Sequence, residues 1–137
     1  MFNIIQMQVI HTFTATIHVG LKIRRTGEIQ SLDKAKKICQ NFVNEMGECV
    51  SFTPTEYIYT NGGEPGVIVQ FIQYPRFPKP EKEIIDRANR LAELLMKGLS
   101  QLKVCVVFPN ETIMLENIKE ENLNLLHNQP NHENKTN

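Results

Sequence analysis

The chain has 137 residues, enough for one domain with a sizeable core and too few for a second. Hydrophobic residues make up 41% and charged residues 22%, and Lys plus Arg balances Asp plus Glu at 15 each. A zero formal charge argues against a protein that lives on nucleic-acid phosphates, and no run of about 18 apolar residues is present to cross a membrane.

Residues 1–14 carry β-type residues and can supply an extra N-terminal strand. They lack the basic start and small-residue cleavage site of a secretory signal; the three cysteines, odd in number and each beside apolar neighbours, read as buried free thiols, so a reducing cytoplasm is expected. Residues 16–23 alternate cleanly. Ile17, Val19, Leu21 and Ile23 point one way, and Thr16, His18, Gly20 and Lys22 the other, which is a half-buried strand. Thr26-Gly27 turns the loop that follows. Ser31 then has the character of a helix N-cap, with Asp33 in the first turn. Leu32, Ala35, Ile38, Cys39, Phe42, Val43 and Met46 form one helical stripe, and Gly47 is a left-handed stop. A helix over 32–46 is expected.

Residues 48–53 and 56–60 read as one strand interrupted at Pro54, hence an edge strand. Asn61-Gly62-Gly63 signals a hairpin turn. Residues 66–74, GVIVQFIQY, are the strongest strand, apolar on both faces. Three prolines between 75 and 80 end it. Pro80, Glu81 and Glu83 suit a helix start. Ile84, Ala88, Leu91, Ala92, Leu95 and Leu99 carry that helix to about Gln101. Residues 104–108 are a short apolar strand, closed by Pro109-Asn110. Residues 111–125 fit a short strand followed by a helix, and 126–137 have nothing to bury and are expected as a disordered tail.

This β-α-β-β-α-β order predicts an α+β fold of ferredoxin-like type over residues 15–110. Right-handed crossovers put two helices on one face of a four-stranded antiparallel sheet. The other face stays open. Either Val67, Val69 and Phe71 pack on the helices and Ile68, Ile72 and Tyr74 face outward, or the reverse. In both registers the open face is apolar, and such a patch marks an interface. Ile68, Ile72, Tyr74, Cys105 and Val107 are the expected contacts. A second copy of the chain is the expected cover, and residues 1–14 are the alternative.

Three groups of residues suggest ligand binding. Lys22, Arg24 and Arg25 follow the first strand and precede a helix N-terminus, an arrangement that suits an anion. Glu64 is bracketed by glycines and Pro65 at the hairpin, where a fixed carboxylate can meet a ribose hydroxyl or a neighbouring subunit. Arg76 stands near Tyr74 and Phe77, and an Arg on aromatic rings is a common anchor. Neither GxxxxGK nor GxGxxG occurs. Cys39, Cys49 and Cys105 are odd in number and lack CxxC spacing, so neither a disulfide framework nor a zinc knuckle is expected. His11, His18, His127 and His132 do not pair with other ligands at metal-binding spacing. No cofactor and no catalytic residue is expected from motifs.

Thr16 to Leu21, TIHVGL, followed by a helix, a Gly/Glu hairpin and a second helix, resembles small proteins of phages and prophages whose first strand reads TIxVGL. The likeness is one of pattern over about residues 15–110. RNA-recognition motifs share that first strand but carry stacking aromatics where Val67 and Val69 stand here. The phage resemblance implies a phage or mobile-element origin, hence the host cytoplasm, and carries no established activity; accessory phage proteins of this size are often inhibitors of host defence. The function expected on this basis is a non-enzymatic, oligomeric protein that binds a nucleotide or another anionic ligand. The alternatives are a module docking on a host protein through its open face, and an enzyme acting on a phosphorylated small molecule.

Overall fold

The computed structural model describes residues 3–118. In chain order these form β1 (Thr14–Gly20), α1 (Leu32–Met46), β2 (Ser51–Tyr59), β3 (Gly62–Ile72), α2 (Glu81–Gly98), β4 (Lys103–Val107) and β5 (Thr112–Glu116). The strands make one antiparallel sheet in the order β2-β3-β1-β4-β5. The fold is α+β, with five strands where four were expected. The extra strand comes from the C-terminal extension, not from the N-terminus. Residues 3–13 form no strand, and Ile4, Ile5, Met7 and Val9 stand exposed. The expected tail, 126–137, lies outside the described residues, as do His127 and His132.

Local chemistry sets the boundaries. Ser31 Oγ accepts the Lys34 amide at 3.1 Å and caps α1. Gly47, at φ 67°, closes it by donating its amide to the Val43 carbonyl at 2.9 Å. α2 stops at Gly98, short of the expected Gln101. Ser100 turns left-handed at φ 57°, and the Gln101 amide folds back onto the Met96 carbonyl at 2.8 Å. β3 starts at Gly62 and not Gly66, because Asn61 at φ 57° makes a two-residue turn that pairs Tyr59 directly with Gly62. Pro54 sits in unbroken β2, which is an edge strand and so tolerates a missing N–H.

Both helices cover one face of the sheet. Ile17 and Val19, Val67, Val69 and Phe71, and Val104 and Val106 are buried there against Phe42, Leu91 and Leu95. Ala88 and Ala92 are fully buried and lack bulk, which lets α2 lie close to β1 and β4. Phe42 meets Phe71 edge-on at 6.4 Å. Of the two registers open from sequence, the one with Val67, Val69 and Phe71 inward is found. Burial pushes the Cys39 thiol up to about 11, so it is a packing group and not a nucleophile. No helix among the described residues is long and apolar enough to cross a membrane.

One charged cluster is built into this framework. Glu48, just past the α1 cap, has a side chain only 7% exposed. It accepts from Arg87 Nη1 at 2.5 Å and lies 3.6 Å from Lys79 Nζ. Arg87 also reaches Glu83 at 3.1 Å. Removing one partner of a buried pair strands the other, which costs about 3–5 kcal/mol at full burial. Arg87 is partly exposed and Lys79 remains, so Arg87→Met is expected to cost about 2 kcal/mol in urea unfolding. Adding Glu48→Leu should recover most of it.

Candidate active site

The site grows out of a pair of facing glycines. Gly20 of β1 lies opposite Gly66 of β3 on the face away from the helices. Their missing side chains leave a trough across the sheet. Counting back from the hairpin, Tyr57 pairs with Glu64, and both project onto this face. Tyr57 fills the space over Gly66. A methyl group on Gly66 would overlap the tyrosine ring and stand 2.7 Å from the Val19 carbonyl oxygen. Glu64 fills the space over Gly20, where an added methyl would stand 3.0 Å from Oε2. The two glycines thus admit a phenol and a carboxylate side by side.

Hydrogen bonds hold the phenol. Tyr57 Oη lies 3.1 Å from His18 Nδ1 and 3.4 Å from the Val67 carbonyl, and the rings meet edge-on at 6.0 Å. Burial first, then the nearby Cys105 and Glu64, push the Tyr57 hydroxyl up to about 12, partly offset by a hydrogen bond from the Val19 backbone. The phenol therefore stays protonated near neutrality.

Beside the trough, at the end of β1, a cleft of about 470 Å³ is lined by Lys22, Arg24, Tyr59, Glu64, Gln101, Leu102 and Lys103. That volume suits a nucleoside-sized ligand. Buried Gln101 donates from Nε2 to the Lys22 and Leu99 carbonyls, both at 3.1 Å, and so ties the loop after β1 to the end of α2. Three cations and one carboxylate line the cleft. Arg25 borders an adjoining hollow that shares Arg24 and Leu102.

The structure therefore brings together Lys22, Arg24 and Glu64 among the candidates from sequence, with Arg25 next to them. Tyr74 and Arg76 lie past the other end of β3, ten residues and roughly 30 Å of extended chain from Glu64. There Tyr74 stacks with Phe77 at 6.1 Å and Arg76 sits 5.5 Å over the Phe77 ring. Within one chain they take no part in the cleft. Sequence reasoning missed Tyr57, Tyr59, Gln101 and Lys103, and placed His18 in no site. The hairpin turn held the signal for the tyrosines: pairing counted back from Asn61 aligns Tyr57 with Glu64.

Gly20→Ala separates the site from the fold. The nearest atoms to the new methyl are those at the flexible end of Glu64. Stability is expected to fall by less than about 1 kcal/mol, since the carboxylate can swing away. Ligand affinity at the cleft is expected to fall at least about fivefold, because Glu64 loses its seat. Urea unfolding and a binding titration check the two effects separately.

No family model matches the sequence, and no curated protein matches it. Among solved structures, a phage SAM lyase in complex with S-methyl-5′-thioadenosine is similar in fold, with a TM-score of 0.66 and 16% identity over 83% of this chain and 96% of that one. A phage SAM lyase in its apo state is similar at 0.59 and 19% identity, over 76% of this chain and 88% of that one. CutA from Synechococcus elongatus overlaps more weakly, at 0.41 and 14% identity over 80% of each chain. These neighbours correct the expected function. The folds similar to this one over most of both chains belong to an enzyme, which overturns the reading as a non-enzymatic binding protein and favours the enzymatic alternative. They are also phage proteins, in keeping with the expected likeness to proteins of phages. What the chain shares with the phage lyases is the α+β fold.

Proposed function

We propose that the chain is an enzyme that cleaves S-adenosylmethionine and releases 5′-methylthioadenosine. The observation that carries this reading is the Glu64–Tyr57 pair seated in the Gly20–Gly66 trough at the mouth of a nucleoside-sized cleft. The fold likeness to the phage lyase supports it. We infer as well that β2-β3-β1-β4 with the two helices form a ferredoxin-like core, to which β5 is added at one edge.

The chemistry suits these residues. A sulfonium is already a good leaving group. When the C–S bond to the amino-acid chain breaks, the bonding pair goes to sulfur and yields a neutral thioether. The substrate's own carboxylate can take the released carbon and close a lactone, so neither water nor an external base is consumed. The reaction thus removes positive charge from sulfur. Lys22, Arg24 and Lys103 disfavour that charge in the bound substrate more than in the transition state, where it is fading. Glu64 accepts hydrogen bonds from the ribose hydroxyls, and Tyr59 offers a ring face for the adenine.

Beyond the trough the open face remains apolar, through Ile68, Ile72, Cys105, Val107 and Met114. We take a second copy of the chain as its cover, so light scattering should show an oligomer. An enzyme of this kind would act in the cytoplasm, where its substrate is, and would deprive host methyl transfer of its donor.

Binding of the product tests the reading directly. 5′-Methylthioadenosine at 100 times its Kd is expected to stabilise the fold by about 2.7 kcal/mol, seen as a raised Tm. Adenosine monophosphate, with a dianion in place of the thiomethyl group, should do less. Stabilisation by the monophosphate and none by the thioether would instead favour an enzyme of phosphorylated substrates.

A further inference from the structure

We propose that His18 is a positioning residue for this site: its Nδ1–H donates to Tyr57 Oη and holds the phenol against Glu64. The inference rests on the reading of the trough as the place where S-adenosylmethionine is cleaved.

Tyr57 has little else to hold it. It lies on edge strand β2, between the exposed Glu56 and Ile58. Gly66 beneath it offers no side chain to pack against. The ring stays in the trough through its hydroxyl, which reaches across β3 to β1. There Oη meets His18 Nδ1 at 3.1 Å and the Val67 carbonyl at 3.4 Å.

A proton count selects the tautomer. A tyrosine hydroxyl has one proton to donate and can accept two hydrogen bonds. The Val67 carbonyl can only accept, so it takes the hydroxyl proton. With that proton used, His18 must donate, which it does only when Nδ1 carries hydrogen. Both contacts are then satisfied. With the proton on Nε2 instead, the hydroxyl would have to choose between Nδ1 and the Val67 carbonyl, and one contact would be lost.

The imidazole is itself confined. His18 pairs across the sheet with Ile68 on one side and Cys105 on the other, and all three are half-buried. Cys105 and Glu64 are the other titratable groups around the phenol. With His18 locked, Tyr57 cannot swing toward solvent, and the wall beside Glu64 keeps its shape. His18 touches Tyr57, not the substrate, so its effect falls on turnover through the tyrosine.

Two kinds of measurement test this. Long-range ¹H–¹⁵N NMR of the wild-type protein should show His18 as the Nδ1–H tautomer, independently of any activity. In assays of 5′-methylthioadenosine release, His18→Ala should lower kcat about tenfold with KM changed less than about twofold. His18→Asn, whose amide nitrogen occupies the Nδ1 position, should restore kcat to within about threefold of wild type. His18→Gln, which places nitrogen at the Nε2 position, should not. In a Tyr57→Phe background, His18→Ala should add nothing further. The proposal is overturned by an Nε2–H tautomer, by equal rescue from Gln and Asn, or by effects of His18 and Tyr57 that multiply. If the wild type releases no thioether, the functional reading fails, and the tautomer alone still decides the role of His18.

Discussion

Glu64→Gln is expected to lower kcat/KM for release of 5′-methylthioadenosine from S-adenosylmethionine by roughly 10- to 100-fold. The side chain keeps its size, so its seat over Gly20 is retained. What is lost is charge. A carboxylate accepts both ribose hydroxyls, whereas an amide accepts at one end and presents a donor at the other. Hydrogen bonds to a charged group contribute about 1.5–3 kcal/mol, which sets the expected range. Stability should change little, because Glu64 is only half-buried and has no ion pair among the described residues. Steady-state assays beside urea unfolding separate the two effects. A variant with full activity would remove Glu64 from the site.

Gly66→Ala is expected to damage both fold and activity. Its methyl would meet the Tyr57 ring and, at 2.7 Å, the Val19 carbonyl oxygen. The ring can move away, but the carbonyl belongs to the central strand β1 and cannot yield without disturbing the ladder. Overpacking of this kind costs about 1–3 kcal/mol, and a backbone clash places the cost near the upper end. A fall in Tm of roughly 10 °C follows for a domain of this size. Tyr57 would leave the trough, so turnover should drop with it. Adding Tyr57→Ala should recover part of the stability, since the ring contacts vanish while the carbonyl contact remains. Calorimetry of the single and double variants checks this. Equal stability of Gly66→Ala and wild type would mean that the trough is not closely packed.

The contrast with Gly20→Ala explains why the two glycines are not equivalent. One meets the flexible end of a side chain, and the other meets backbone. The first change probes ligand binding and the second probes the fold.

The helices were legible because their boundaries are local. Ser31, Gly47 and Pro80 each act within one turn, so α1 falls where its caps place it. The sheet was legible in order but not in detail. Period-two alternation in β3 is apolar on both faces, so the sequence alone could not say which set meets the helices. β3 began four residues earlier than expected, because a two-residue turn at Asn61 extends the ladder through Gly62–Glu64. β5 was ambiguous since Thr112–Glu116 is short and half-exposed.

The site was legible only where chemistry is local too. Lys22, Arg24 and Glu64 were visible as charges near glycines and turns. Tyr57 was not, because its partner lies across a hairpin whose register must be counted. Tyr74 and Arg76 were chosen for an aromatic–cation motif that the structure satisfies at the far end of β3 with Phe77. The non-enzymatic reading came from the lack of a catalytic motif. A sulfonium substrate that carries its own nucleophile asks the protein for shape and field, and neither leaves a short motif in the sequence.

Incubating the purified chain with S-adenosylmethionine and following products by liquid chromatography and mass spectrometry decides whether it cleaves this substrate. The expected products are 5′-methylthioadenosine and a lactone that carries no oxygen from ¹⁸O-labelled water at the moment of its formation, both lost on Glu64→Ala. No thioether above the spontaneous background, with the wild type folded, would contradict the proposed cleavage.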